Sequence, residues 1–236
     1  MVKTQSNESV GGADRAMILR CRSIDFHERN NWAIIWVLLD TCDEAYVYRE
    51  FSPSPIRTTT DAIVESMVDM SEMEEYRFNL IDPLAGKNQT NSRTSAIEDI
   101  NNKLRSMYNE NRSSRGVFEP FDTKGTHGRA MIRTRLHNSM VAGKPGNNLT
   151  VVEGREVLIP TLWISDQCPQ TATSLRNWRY EEWTGNSASM KDRKEAPIQK
   201  YSHFCTALEG VMKDSRFKVP RVRMKYRPPN LFKGRR

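Results

Sequence analysis

Apolar positions fall in short blocks whose period switches between two and about 3.6, and those switches predict the order of elements. Met17 to Phe26 (MILRCRSIDF) alternates or runs apolar, and Trp32 to Leu39 (WAIIWVLL) is continuously apolar, the pattern of a strand covered on both faces. Asp40 to Asp43 is turn chemistry and Ala45-Tyr46-Val47-Tyr48 is rich in strand formers, so the chain opens as a β-meander. Thr58-Thr59-Thr60-Asp61 supplies N-cap chemistry for a helix carried by Ile63, Val64, Met67 and Val68. Tyr76 to Asp82 (YRFNLID) predicts a fourth strand, stopped by Pro83, and Ile97, Ile100, Leu104 and Met107 mark a second helix. A short strand is expected at Val117-Phe118, a helix within Arg129 to Met140 and a loop from Gly143 to Asn148.

The pattern resumes with a strand over Val157 to Ile164 (VLIPTLWI) and a helix over Gln170 to Trp183, its inward face carrying Ala172, Leu175, Trp178, Arg179 and Trp183. After a polar bridge, 184–197, Phe204, Ala207, Leu208, Val211 and Met212 form one stripe of a final helix that should pack on the sheet. A meander, a crossover helix, a parallel strand and further α/β units define a mixed sheet with helices on both faces. The polar start, 1–16, reads as a linker, 17–214 as the domain and 215–236 as a basic tail.

Composition changes this picture in two places. No apolar run approaches the roughly 20 residues of a membrane span, and the N-terminus has no apolar signal segment, so an intracellular protein with no membrane partner is expected. Of the 36 Lys and Arg, nine lie in the last 21 residues, where Asp and Glu are absent; the remaining 27 face 29 acidic residues. The tail (Arg221, Arg223, Lys225 and Arg227 among its cations, with Phe217, Tyr226 and Phe232 between them) suits a polyanion such as DNA, or is a solvated tail.

The motifs of several enzyme classes are missing. There is no G-x-x-x-x-G-K-[ST], no G-x-G-x-x-G and no G-x-S-x-G, and Cys21, Cys42, Cys168 and Cys205 have no CxxC spacing and read as reduced core thiols. What remains is a pair of aspartates at strand ends, Asp25 in SIDF and Asp82 in LIDP. If the first and fourth strands lie parallel and adjacent, both carboxylates project at one sheet edge and offer hard oxygen ligands to Mg²⁺ or Mn²⁺; two such ions clamp the attacking and leaving oxygens of a phosphodiester. The plainer alternative is that each Asp caps the turn that follows it.

The order SIDF, NNWAIIWVLLD, AYVYREF, FNLIDPLAG, LWISDQCPQTATSLRNWRYEEW, KYSHFCTALEGVMKD resembles the nuclease domain of the large terminase subunit of tailed phages, over roughly 17–214. The resemblance implies a ribonuclease H-like fold and a metal-dependent endonuclease, using Mg²⁺ or Mn²⁺ with two ions expected, that cuts concatemeric double-stranded viral DNA during packaging. It implies an ATPase motor domain or subunit before the nuclease, with 1–16 as the interdomain linker, the portal protein and the small terminase subunit as further partners, and the host cytoplasm as the setting. Asp25 and Asp82 match the family's first two metal-binding acids. Family members commonly have an Asp three residues after the helix His; here His203 is followed at that distance by Thr206, which has no carboxylate. His203 is then a weak ligand or proton shuttle, better suited to Mn²⁺ than to Mg²⁺, and Asp166 or Glu209 is the candidate third carboxylate. Glu50, ending the third strand, is a further acid that could face the site.

Lys87, Arg93, Lys124 and Arg129 lie in loops or segments flanking the Asp82 strand and are candidate phosphate contacts. Trp163, Trp178 and Trp183 are expected to pack in the core, and His27, His127 and His137 lack ligand spacing. Two competing readings stand beside the enzyme. One is a catalytically degenerate ribonuclease H-like module that docks DNA or the portal through its basic tail, and the other is a different nuclease on the same fold, such as a junction resolvase or transposase.

Overall fold

The meander forms as β1 (Leu19–Asp25), β2 (Ala33–Leu39) and β3 (Ala45–Phe51), each strand antiparallel to the next. The computed structural model describes residues 18–87, 94–114, 116–124, 127–137, 149–152, 155–158, 160–178 and 201–218. β2 is apolar throughout because it is sandwiched: Ile35, Val37 and Leu39 enter one core, Ile34 and Trp36 the other. Helix α1 (Thr60–Ser71), capped by Thr59 Oγ1 accepting from the Ala62 N–H at 3.3 Å, crosses to β4 (Phe78–Ile81), which lies parallel to β1. A 3₁₀ turn (Pro83–Gly86) and α2 (Ala96–Asn109) lead to β5 (Phe118–Pro120), parallel to β4. The side-chain amide of Asn101 donates to the Phe118 carbonyl at 3.0 Å and accepts from its N–H at 2.7 Å, closing the outer edge of β5 as a neighbouring strand would.

Helix α3 (His127–His137) is followed by a separate hairpin, β6 (Leu149–Val152) and β7 (Arg155–Leu158), and then by β8 (Leu162–Ile164), parallel to β3. Helices α4 (Pro169–Asn177) and α5 (His203–Lys213) follow. The sheet order is β5-β4-β1-β2-β3-β8, with β2 alone running opposite to the rest, so the C-terminal ends of β1, β3, β4, β5 and β8 share one edge. α1 and α2 bury Ile63, Val64, Met67, Ile100 and Leu104 on one face. On the other face α5 buries the predicted stripe, Phe204, Ala207, Leu208, Val211 and Met212, against Cys21, Ile35, Val37 and Leu80, with α3 and α4 beside it. Each larger side chain of that stripe contributes ~1.5–3 kcal/mol of burial, which fixes the start of α5 over the sheet edge.

Three expectations are corrected. The single strand over 157–164 is two, β7 ending at Leu158 and β8 starting at Leu162; Pro160 between them cannot donate to a ladder. Trp163 is 39% exposed: it pairs in register with half-buried Tyr46, on the face that α1 and α2 leave partly open at this edge. Cys42 is exposed in the β2–β3 turn, whereas Cys21, Cys168 and Cys205 are buried. In α4 the fully buried positions are Thr171 and Ser174, while Leu175 and Trp178 pack half-buried against the core. The linker 1–16, the loop 143–148, Arg179, Trp183, the bridge 184–197 and the tail beyond Lys218 lie outside the described residues.

Candidate metal and catalytic centre

Parallel pairing of β1 and β4 sets Ile24 opposite Ile81, and the Asp82 N–H donates to the Ile24 carbonyl at 2.8 Å. The next position on each strand is therefore Asp25 on β1 and Asp82 just past β4. Both follow Cys21, Phe78 and Leu80 onto the face that α5 covers. Pro83 stops β4, and Asp82 Oδ1 accepts from the Leu84 N–H at 2.7 Å, so the same aspartate caps the 3₁₀ turn and faces the sheet edge. His203, the first residue of α5, brings its Nδ1 to 2.7 Å from Asp25 Oδ2. The fold thus gathers Asp25, Asp82 and His203, and both carboxylates are buried, 6% and 9% exposed.

Burial pushes the Asp82 carboxyl above the usual carboxylate range; the Leu84 N–H works against that shift, and the adjoining Asp25 carboxylate adds to it. The hydrogen bond to Asp25 holds the His203 imidazole above its ordinary value, against the effect of burial. His203 thus donates from Nδ1 to Asp25, and Nε2 is the nitrogen not engaged by that carboxylate. Two adjoining buried carboxylates need a proton or a cation between them.

That chemistry fits a hard divalent ion. Mg²⁺ is commonly held by one or two carboxylates, with water and substrate phosphate completing its shell. It does not fit a closed cage: among the described residues no group of three or more His, Cys, Asp or Glu side chains stands ready to hold a metal. Ser23, two residues before Asp25 on the same face, has a buried hydroxyl without a hydrogen-bond partner.

The other predicted acids are elsewhere. Glu50 caps α4: Oε1 accepts from the Gln170 N–H at 2.8 Å, and Oε2 from the Thr171 N–H at 2.8 Å and hydroxyl at 2.7 Å. Asp166 is exposed beyond β8, four strand positions from β4 in the sheet order, and accepts from Ser165 Oγ at 3.2 Å. Glu209 points to α3, where Arg129 Nε lies 3.2 Å from Oε2, while Lys213, one turn on along α5, brings its Nζ to 2.9 Å from Oε1. Thr206 is half-buried in the first turn of α5.

Of the predicted phosphate contacts, Lys87 follows the 3₁₀ turn close enough to Asp82 to favour its charged form. Lys124 is exposed after β5, its N–H held by Asp122. Arg129, paired with Glu209, also lies over the Trp178 ring at 5.9 Å. Arg93, Arg221, Arg223, Lys225 and Arg227 lie outside the described residues.

His27 belongs to the centre, although its spacing gave no signal. Its ring stands edge-on to His203 with centroids 5.9 Å apart. Its Nδ1 accepts from the N–H groups of Arg29 and Asn30 at 3.1 and 3.0 Å, and its carbonyl accepts from Trp32 Nε1 at 2.9 Å. A strand end followed by a His in a tight loop is the only trace of this in the sequence. Burial pushes the Cys168 and Cys205 thiols up to about 12, so neither is an activated nucleophile.

The antiparallel meander followed by parallel strands added beside β1, with helices on both faces, is a ribonuclease H-like α/β architecture. No protein-family model and no curated protein matches the sequence. Among solved structures, the large terminase of a thermophilic bacteriophage matches over 89% of this chain and 43% of its own, with a TM-score of 0.54 at 13% identity. The same protein in complex with ATP-γ-S matches with a TM-score of 0.53 at 12% identity, over 85% of this chain and 41% of its own. The nuclease domain of the P22 large terminase aligns over 86% of this chain and 83% of its own, at 12% identity and a TM-score of 0.49. The chain spans less than half the length of the thermophilic phage protein, and what it shares with that protein is a fold.

Proposed function

We propose that this chain is a divalent-metal-dependent endonuclease domain of a viral DNA-packaging terminase, cutting concatemeric double-stranded DNA in the host cytoplasm. The observation that carries the reading is the register-matched pair Asp25 and Asp82 at one sheet edge, with His203 held 2.7 Å from Asp25. Asp25 and Asp82 would hold Mg²⁺ or Mn²⁺, with two ions expected, and the metal would supply activation of water and neutralisation of phosphate charge. Asp82, fixed by the Leu84 N–H, presents its second oxygen at a constant position. His203 orients Asp25 and keeps Nε2 to take a proton from the attacking water or to give one to the leaving oxygen. Lys87 and the basic tail would steer duplex DNA by charge rather than by base sequence. The ATPase motor, as a preceding domain or separate subunit, the portal protein and the small terminase subunit would be its partners.

The deciding experiment is cleavage of supercoiled plasmid with Mg²⁺, Mn²⁺ or chelator. The wild type nicks with metal, best with Mn²⁺, and Asp25→Asn and Asp82→Asn do not; unchanged cutting by both variants removes the pair from the mechanism. A second reading, a degenerate module that binds DNA or the portal without cutting, is favoured by Thr206 and by the open donor set. Metal-independent DNA retention without cleavage in any metal would establish it.

A further inference from the structure

Beside His203, on the side away from Lys87 and the 3₁₀ turn, the surface opens into a cleft of about 410 Å³. It lies between the β1–β2 loop, the end of β3 and the starts of α4 and α5. Its size is within the ~300–1,000 Å³ of ligand clefts. Its lining is unusual for a surface beside two carboxylates: Asn30, Asn31, Gln170, Thr173 and Tyr201 reach it, and among the described residues no Lys, Arg, Asp or Glu does. The walls are built. Asn31 Nδ2 donates to the Ser52 carbonyl at 3.2 Å, the Asn30 N–H donates to His27 Nδ1 at 3.0 Å, and the backbone of Gln170 is held by Glu50. Glu50, read from sequence as a candidate site acid, thereby sets one wall of the cleft.

Resting on the nuclease reading above, we infer that this cleft is the subsite for the nucleotide next to the scissile phosphate on the cut DNA strand. Amide and hydroxyl groups there offer both donors and acceptors, which suit the sugar, the base edge and a flanking phosphate oxygen, while charge would be redundant beside a metal-loaded centre. Half-buried Tyr201 adds apolar surface for a base or sugar face. The centre is thus two-sided. Lys87 takes the strand by charge on the Asp82 side, and the cleft takes it by hydrogen bonding and contact on the His203 side. Asn30, Asn31, Gln170 and Thr173 act as positioning residues, without a part in proton or metal chemistry.

The test is equilibrium binding of a fluorescent DNA oligonucleotide to the full chain in chelator and in Ca²⁺, across a salt series. The Asn31→Ala/Gln170→Ala double variant weakens binding about tenfold with its salt slope unchanged, because neither residue releases a counterion; Lys87→Ala lowers the slope by about one. Thr173→Trp, at an exposed position, fills the cleft and weakens binding at least as much. All positions changed are exposed, and an unaltered melting temperature certifies the fold. Wild-type affinity in both cleft variants overturns the subsite and leaves the nuclease reading standing. A wild type that binds no oligonucleotide overturns both.

Discussion

The same two strands build two buried polar clusters of opposite character, one on each face of the sheet. Arg22 of β1 and Asn79 of β4 are register partners, facing α1 and α2. Arg22 Nε donates to Asn79 Oδ1 at 2.8 Å and Nη1 to Ser71 Oγ at 3.1 Å; Ser71 in turn donates to the Met67 carbonyl and accepts from Trp36 Nε1. The guanidinium lies 4.2 Å from the Tyr76 ring centroid, and burial lowers its pKa to about 10. Three residues along each strand, on the opposite face, Asp25 and Asp82 adjoin beside His203 with an excess of negative charge. The first cluster is closed within the protein and serves the fold. The second is left open to a cation, and that difference in satisfaction, more than burial or polarity, separates architecture from function.

The largest effect should come from opening the open cluster further. Asp25→Asn keeps shape and still accepts from His203, so the melting temperature stays within about 2 °C, while metal-dependent nicking falls about a thousandfold, ~4 kcal/mol of barrier. The closed cluster should answer in reverse. Arg22→Met leaves Asn79 and Ser71 without their buried partner and costs ~3 kcal/mol, a fall of roughly 6–12 °C, with cutting by the folded fraction preserved. A variant that melted like the wild type would remove the distinction.

Metal supplies the next test. An ion bound only by the folded state at a hundred times its dissociation constant stabilises by ~2.7 kcal/mol, so Mn²⁺ should raise the melting temperature by roughly 5–10 °C in the wild type and far less in Asp82→Asn. Equal shifts in both would place the ion elsewhere. Glu209, a carboxylate already paired by Arg129 and Lys213, belongs with the closed kind. Glu209→Gln should lower stability by ~1–2 kcal/mol and leave the metal-induced shift intact; loss of that shift would return Glu209 to the metal site.

How much of this was legible follows from what distance along the chain each feature spans. The meander, α1, α2, β4 and the stripe of α5 were readable because their burial repeats locally, and Asp25 and Asp82 because they sit where strand patterns end at a turn or at Pro83. The partition of 157–164 was not, because one proline inside seven apolar or β-forming positions outweighs the pattern around it. Nor was the Asp25–His203 contact, 178 residues apart, or Glu209 with Arg129, 80 apart: ion pairing is set by packing of elements, and no local period encodes it. Glu50 lies next to the end of its strand, as Asp25 lies at the end of β1, yet the start of α4 takes both its oxygens as a cap. Position at the sheet edge was visible in the sequence; the neighbour that arrives there was not.

Polarity exposed to water is the third kind, and it should matter least. Beyond α5, Asp214 accepts from Arg216 Nε at 2.9 Å and Nη2 at 2.7 Å, while Arg216 Nη1 reaches Glu119 Oε2 at 2.9 Å. Burial tends to raise the Asp214 carboxyl, but the bonds from Arg216 outweigh it and hold the group below the usual carboxylate range. A carboxylate with a depressed folded-state pKa stabilises above its unfolded value, near 4, and that stabilisation is lost as pH falls through the folded value. Because Arg216 is 40% exposed, solvent screens the pair and the gain is small. Asp214→Asn should therefore lower the urea midpoint slightly at pH 7, and the gap should close at an acid pH below the depressed folded value, where both proteins carry a neutral group at this position. A gap as wide at that acid pH as at neutrality would mean that Asp214 acts through its shape and not its charge, which would place it with the closed cluster after all.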